Sequence, residues 1–199
     1  SIFLITDYSD GNDMLISRSA SSVEELLDGE VWLLQYSVSH YLLNRALEAA
    51  GITEPWRVKS VNISDAEIGA AYVTQPEMAH VATWNPIAAE MLNSVPESTV
   101  LFDSSQIPGE IMDVFIAKTE TLADYPDFPK AVTGAWYEAM ATMAEGSDDM
   151  MEVMASAMGT DVPGLQAQVD QTHFFYTPGD AAAFLDAESS VEIMDNVRT

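Results

Sequence analysis

The residue types best suited to binding a small molecule stand where predicted strands end. An apolar run from Val31 to Leu34 reads as a buried strand, and leucines at helical spacing after Tyr36 predict a helix that ends near Gly51. Two hydroxyls and an imidazole, those of Ser37, Ser39 and His40, lie at the junction. A helix N-terminus presents free backbone N–H groups and the positive end of the helix dipole, which together suit a polar ligand. The alternative interpretation is that Ser37 or Ser39 only caps the helix.

Further polar and aromatic side chains also follow predicted strands, and each of them alone could be a turn or cap residue. Because ligands of open α/β sheets bind outside the carboxyl ends of the strands, these groups are expected to converge. The Trp84 ring and the carboxylates of Asp7, Asp103 and Glu110 suit a small, planar, donor-rich or cationic molecule. The candidate ligand-binding residues are Asp7, Ser37, Val38, Ser39, His40, Trp84, Asn85, Asp103, Ser104 and Glu110.

The sequence contains no pattern that demands catalysis, a metal or a cofactor. Its histidines, His40, His80 and His173, are far apart and fit no zinc-binding spacing. There is no Gly-x-Ser-x-Gly or Ser-x-x-Lys nucleophile motif, no phosphate-binding glycine loop and no cysteine. We therefore expect a binding protein without a catalytic site, a metal site or a cofactor.

The charge composition of the chain limits the kinds of partner that it can bind. Seven Lys and Arg oppose 32 Asp and Glu, so the formal net charge of the 199 residues is -25. Such a field repels phosphate backbones and anionic membrane surfaces, which argues against nucleic acid as a partner. No apolar stretch reaches the roughly 20 residues of a membrane span. Strong acidity also suits a salty or extracytoplasmic environment.

The elements that must position these residues change character along the chain. Strands alternate with helices as far as Phe102, which is typical of parallel α/β units. After a strand from Ile111 to Ala117 the pattern becomes helical, and that strand is expected to lack partners. Further expectations are a strand Trp56–Val61, a capping box of Ser64 with Glu67, a helix Pro163–Thr172, a helix after Thr177-Pro178 and a last helix that runs to Thr199.

The chain opens abruptly. Ser1 leads straight into the core-strand run Ile2 to Ile5, with no initiator Met and no charged leader. We expect a fragment or a processed piece whose first strand once followed another segment.

Four stretches carry a family resemblance: Ile-Thr-Asp-Tyr-Ser-Asp-Gly-Asn-Asp (5–13), Ser-Val-Ser-His-Tyr-Leu-Leu (37–43), Ala-Thr-Trp-Asn-Pro (82–86) and Phe-Asp-Ser-Ser-Gln-Ile-Pro-Gly-Glu-Ile-Met-Asp (102–113). They resemble periplasmic substrate-binding proteins of ABC transporters, in the group for sulfonates, nitrate, taurine and the thiamine pyrimidine precursor. They are most similar to the branch found beside urea-carboxylase genes. The resemblance runs through nearly the whole chain, to the final Asn-Val-Arg-Thr.

The resemblance implies a type 2 periplasmic-binding-protein-like α/β fold with two lobes that close on a ligand. One lobe would be complete, with a mostly parallel sheet, and the C-terminal helical part of the other would follow. Residues 1–11 would form the first crossover strand, 12–101 the complete α/β lobe, 102–113 the return crossover and 114–199 the partial, mainly helical lobe. The family's ligand-cradling helix N-terminus falls on Ser37 to His40, and its hinge and cleft positions fall near Asp7, Trp84, Asn85, Asp103 and Ser104.

The function implied is that of the periplasmic or extracytoplasmic solute-binding component of an ABC uptake system. It would bind a urea-, guanidine- or amide-like molecule in an interlobe cleft and deliver it to an ABC permease. Two alternatives are a thiamine-pyrimidine-synthase-like enzyme of the same fold and a ligand-sensing domain of a larger protein. The enzyme would need a cofactor-holding lysine and a His-rich iron site, and Lys59, Lys118 and Lys130 lack such neighbours. The incomplete lobe and the unpaired strand predict a homodimer.

Overall fold

The computed structural model describes residues 1–198 in two compact units. The first unit combines Ser1–Ser9 with the chain from Gly109 onward, and the second unit is Asp10–Pro108. The last helix was predicted to run to Thr199, which lies outside the described residues.

Eight strands and nine helices occur in the described part of the chain. The strands are β1 (Ile2–Ser9), β2 (Asp13–Ser17), β3 (Glu30–Leu33), β4 (Lys59–Asn62), β5 (His80–Trp84), β6 (Thr99–Asp103), β7 (Met112–Ile116) and β8 (Thr172–Phe174). The helices are α1 (Val38–Ala49), α2 (Asp65–Thr74), α3 (Ile87–Ser94), α4 (Thr119–Asp124), α5 (Asp127–Glu145), α6 (Asp148–Met158), α7 (Val162–Asp170), α8 (Pro178–Asp186) and α9 (Glu188–Arg198).

The second unit contains a five-stranded sheet in the order β4-β3-β5-β2-β6. The predicted α/β class is confirmed, and the sheet is mixed: β3 runs parallel to β4 and β5, whereas β2 runs antiparallel to β5 and β6. Four strands therefore end at the edge of the sheet where β2 begins. We call this the carboxyl edge, and we call the opposite side of the sheet the amino edge.

Helices pack on this sheet through apolar positions at helical spacing. On α1, Leu42, Leu43, Ala46 and Leu47 are buried, which is the stripe that an amphipathic helix turns towards a sheet. A second cluster joins Ile16 and Val81 of the sheet to Tyr72 of α2 and Met91 of α3. Burial of these side chains stabilises the unit, at about 1.5–3 kcal/mol for each large apolar side chain. The carboxyl edge is thereby built on a packed core.

The first unit contains a three-stranded antiparallel sheet in the order β7-β1-β8. The expectation that the strand Ile111–Ala117 lacks partners was wrong, because β7 pairs with β1 from Met112 to Ile116. The structure also adds β8, which sequence analysis had placed at the end of a helix. Ile5, Phe175 and Ala181 form a buried apolar cluster in this unit. The unpaired strand is thus removed as a reason for a homodimer, which stays a prediction.

Two local predictions in the second unit were wrong. A 3-10 turn, Pro55–Arg57, replaces the start of the strand predicted at Trp56–Val61, because Pro55 lacks an N–H and fixes its φ for a turn. Ser64 makes no side-chain cap to the backbone of α2, since its hydroxyl donates to the Glu67 carboxylate at 2.5 Å.

None of the helices within residues 1–198 has the length and apolar character that crossing a bilayer requires.

Candidate functional site

The carboxyl edge collects most of the predicted ligand-binding residues. Ser37 to His40 follow β3, Trp84 and Asn85 stand at the end of β5, and Asp103 and Ser104 stand at the end of β6. The antiparallel pairs Asp13–Trp84 and Met14–Asp103 fix β2 between the last two strands. Because neighbouring strands lie about 4.8 Å apart, these groups leave the sheet along one line.

The junction between β3 and α1 is held by its own serines. The Ser37 hydroxyl donates to the Leu34 carbonyl at 2.7 Å and accepts the Ser39 N–H at 3.2 Å, so Ser37 is the N-cap of α1. Ser39 is 1% exposed. The capping interpretation therefore describes the hydroxyl of Ser37, while Val38 and His40 reach the surface of the first turn.

Tyr36 is a residue at this junction that sequence analysis did not single out. Its side chain is 94% exposed and its φ is +64°, a left-handed conformation that is uncommon for residues other than glycine. The backbone N–H of Tyr36 donates to His40 Nδ1 at 3.2 Å, and the two rings meet edge to face with centroids 5.9 Å apart. The available sequence signal was an aromatic residue beside a predicted helix cap.

Trp84 and Asn85 differ in whether their side chains are accessible to a ligand. Trp84 is 40% exposed and presents a ring at the carboxyl edge. The Asn85 amide is used inside the unit, because Nδ2 donates to Asn12 Oδ1 at 3.0 Å and Oδ1 accepts the Ala89 N–H at 3.1 Å. Asn85 thus ties the loop before β2 to the start of α3.

Asp103 and Ser104 likewise differ in accessibility. The half-buried Asp103 carboxylate accepts the backbone N–H of Ser105 at 2.9 Å and also its hydroxyl. The fully buried Ser104 hydroxyl accepts the Gly11 N–H at 2.8 Å and the Asp13 N–H at 3.4 Å. Asp103 therefore supplies a negative charge at the edge, and Ser104 holds the segment that leads into β2.

Asp7 belongs to the first unit, on the central strand β1 opposite Asp113 of β7. It is buried, and the pKa of its carboxyl group is raised to about 6, chiefly by burial and also by the neighbouring Asp113 charge, against a hydrogen bond with Thr6 that lowers it. A carboxylate in this position is costly to ionise because little water reaches it.

Glu110 is also a buried residue of the first unit. Its Oε1 accepts a hydrogen bond from Asn196 Nδ2 of α9 at 3.1 Å. The contact joins the segment before β7 to the last described helix.

A metal site finds no support in residues 1–198, where three or more His, Asp or Glu side chains do not gather in an arrangement that could hold an ion.

The fold defines the class: the described chain has the fold of the periplasmic solute-binding proteins. Among solved structures, it is similar to the periplasmic aliphatic sulphonate binding protein SsuA from Escherichia coli, with a TM-score of 0.71, 19% identity and coverage of 99% of this chain and 71% of that one. For the alkanesulfonate-binding protein SsuA from Xanthomonas axonopodis bound to MOPS, the TM-score is 0.72, the identity 13% and the two coverages 98% and 69%.

A third similar structure is the ligand-binding component of an ABC-type import system from Staphylococcus aureus with zinc bound. Its TM-score is 0.68 at 15% identity, and the match covers 96% of this chain and 64% of that one. The chain thus spans between 64% and 71% of the length of these three structures. No family model matches the sequence, and no curated protein matches it.

Proposed function

We propose that the chain is the solute-binding component of an ABC uptake system and works in the periplasm or another extracytoplasmic space. The observation that carries this is the fold likeness over nearly the whole chain to proteins that are named for binding solutes. The ligand binds at the carboxyl edge, and an ABC permease receives it. The protein acts by binding and release, without turnover.

We further propose that the solute is a small nitrogenous molecule of the urea, guanidine or amide type. Between residues 10 and 108 there are fourteen Asp and Glu against four Lys and Arg. Three of the four basic residues, Arg18, Arg57 and Lys59, lie at the amino edge, where β2 ends and β4 begins. Asp103 and the Trp84 ring lie at the carboxyl edge. A carboxylate and an aromatic face at the same edge favour a donor-rich or cationic ligand there.

The test is a thermal-shift screen of the purified chain against urea, guanidine, methylguanidine, formamide, taurine, nitrate and pyrimidines. A ligand that binds only the folded state stabilises it by about 2.7 kcal/mol at a hundred times its dissociation constant. We expect a rise in melting temperature with the nitrogenous compounds. A rise with taurine or nitrate alone would support solute binding and contradict the nitrogenous ligand.

Two variants locate the site. Asp103→Asn removes the charge but keeps an oxygen that can accept the Ser105 N–H, and we expect it to weaken binding of methylguanidine. Glu97→Gln is the matched control, since this exposed carboxylate precedes β6 at the amino edge. Equal affinities of the two variants would place the ligand away from the carboxyl edge.

A further inference from the structure

We propose that Tyr36 is the residue on which the planar group of the ligand stacks, and that His40 is the positioning residue that presents it. The inference rests on the proposed function and deepens it, because it adds a ring to the site and selects planar cations among the nitrogenous solutes.

The exposure of Tyr36 is the first argument. Aromatic side chains normally bury most of their surface, and the 94% exposed Tyr36 ring leaves its faces open. The ring follows β3 by three residues, and Trp84 ends β5, the parallel neighbour of β3. Two aromatic side chains thus leave adjacent strands at the carboxyl edge.

The backbone of Tyr36 is the second argument. A tyrosine at φ +64° occupies a sparsely populated conformation, which persists only where the surroundings hold it. His40 holds it: its ring Nδ1 accepts the Tyr36 backbone N–H, and its backbone N–H donates to the Ser37 carbonyl at 3.1 Å in the first turn of α1. A rigid helix end therefore fixes the backbone of an exposed ring.

The chemistry of the ring gives the ligand class. The face of an aromatic ring is the negative end of its quadrupole, so it attracts a guanidinium or ammonium group and gains nothing from an anion. The net negative charge of the second unit also attracts cations and repels anions. Methylguanidine, which is planar and cationic, is the probe that suits such a surface.

The experiment measures methylguanidine affinity by isothermal titration calorimetry for the intact chain and its variants. We expect Tyr36→Ala to weaken binding about tenfold and Tyr36→Phe to change it less than about threefold, because phenylalanine keeps the ring. Trp56→Ala is the matched control: Trp56 is 73% exposed in the same unit but lies before β4 at the amino edge, and its loss should leave affinity unchanged.

His40 is tested by coupling and by rescue. His40→Ala should weaken binding in the wild-type background and have no further effect in the Tyr36→Ala background, since it acts through that ring. His40→Asn places an amide oxygen near the position of Nδ1 and should restore most of the affinity. Additive losses, or no rescue by asparagine, would overturn the positioning role.

The outcomes separate this inference from the proposed function. If the wild-type chain binds no compound of the screen, the proposed function fails and the role of Tyr36 fails with it. If the wild-type chain binds methylguanidine and Tyr36→Ala binds it as well as Trp56→Ala does, the solute-binding function stands and the stacking role is overturned. Binding of taurine or nitrate without methylguanidine overturns the cation preference of the ring.

Discussion

Asp7 is a carboxylic acid in the central strand of a small sheet, and its charge state changes in the physiological range. Because its pKa in the folded protein is about 6 and the ordinary value is 3.8, the folded state binds the proton more tightly than the unfolded state. The stability that this proton contributes is fully present below pH 3.8 and is lost as the pH rises through 6. The rise in pKa from 3.8 to about 6 corresponds to about 3 kcal/mol in the free energy of unfolding.

The prediction is that Asp7→Asn, which resembles the protonated acid, removes this dependence. The free energy of unfolding in urea, measured at pH 4 and pH 8, should favour the variant over the wild type by about 2.4 kcal/mol more at pH 8, because a small part of the effect is already lost at pH 4. Asp113→Asn is the comparison: it removes a neighbouring charge but leaves Asp7 buried, so its effect should be smaller. Parallel pH curves for wild type and Asp7→Asn would contradict the assignment.

Single residues also mark where sequence reasoning stopped. The change from an apolar run to leucines at helical spacing predicted that Ser37 follows a strand and caps a helix. The structure has that cap. The left-handed backbone conformation of Tyr36 could not be predicted, because no local sequence signal indicates a positive φ at a residue other than glycine. The partner that holds it, His40, is recognisable only once α1 exists.

At the scale of elements, the segment before β7 packs closely under two helices. Gly109 has φ +82°, and a Cβ atom added there would lie 3.0 Å from the Phe184 ring of α8 and 3.0 Å from Ile193 Cδ1 of α9. Both a left-handed backbone and the absence of a side chain are therefore required at this position.

We predict that Gly109→Ala destabilises the protein more than Gly146→Ala does. Gly146 caps α5 at φ +63° with no neighbouring atom within 4 Å of an added Cβ, so alanine there costs only the backbone term of about 1–2 kcal/mol. At Gly109 the crowding adds about 1–3 kcal/mol. Chemical denaturation of the two variants measures the difference. Equal losses would show that α8 and α9 yield without cost.

Helix ends and short strands show what the sequence could predict about elements. The Thr177-Pro178 start of α8 was predicted, and the structure has a full capping box there between Thr177 and Asp180. The similar pattern at Ser64 failed because its hydroxyl bonds to the Glu67 side chain instead of the backbone. The three-residue β8 carries no period of its own and forms because β1 offers it a partner.

At the scale of the whole molecule, the net charge of -25 destabilises the folded chain through repulsion between like charges. Like charges repel one another more when the chain is folded, and salt screens exposed charges over about 10 Å at 0.1 M. We predict that the melting temperature rises between 20 and 500 mM NaCl at pH 7. The rise should shrink near pH 4.1, the isoelectric point, where the net charge vanishes. A salt effect of equal size at both pH values would point to surface exclusion of salt instead of charge repulsion.

The arrangement of the units was partly predictable from the order of elements. Alternating strands and helices indicated the α/β class, and the rule that ligands bind beyond strand ends gathered the residues of the carboxyl edge. The antiparallel β2 was not foreseen, since a short apolar strand carries no signal of its direction. The pairing of β1 with β7 joins residues more than a hundred positions apart and leaves no local trace.

The Ser104 hydroxyl, which binds the Gly11 and Asp13 N–H groups, has a consequence for how the protein is made. It closes the second unit near its two ends. This unit is one uninterrupted stretch of the chain, whereas the first unit is split around it. On the ribosome the second unit can fold as soon as it emerges. The strand β1 is translated before the second unit and can pair with β7 and β8 only after that unit has been made; at about 5–20 residues per second that delay lasts several seconds or more. Until then its apolar run from Phe3 to Ile5 lacks these two strands as partners.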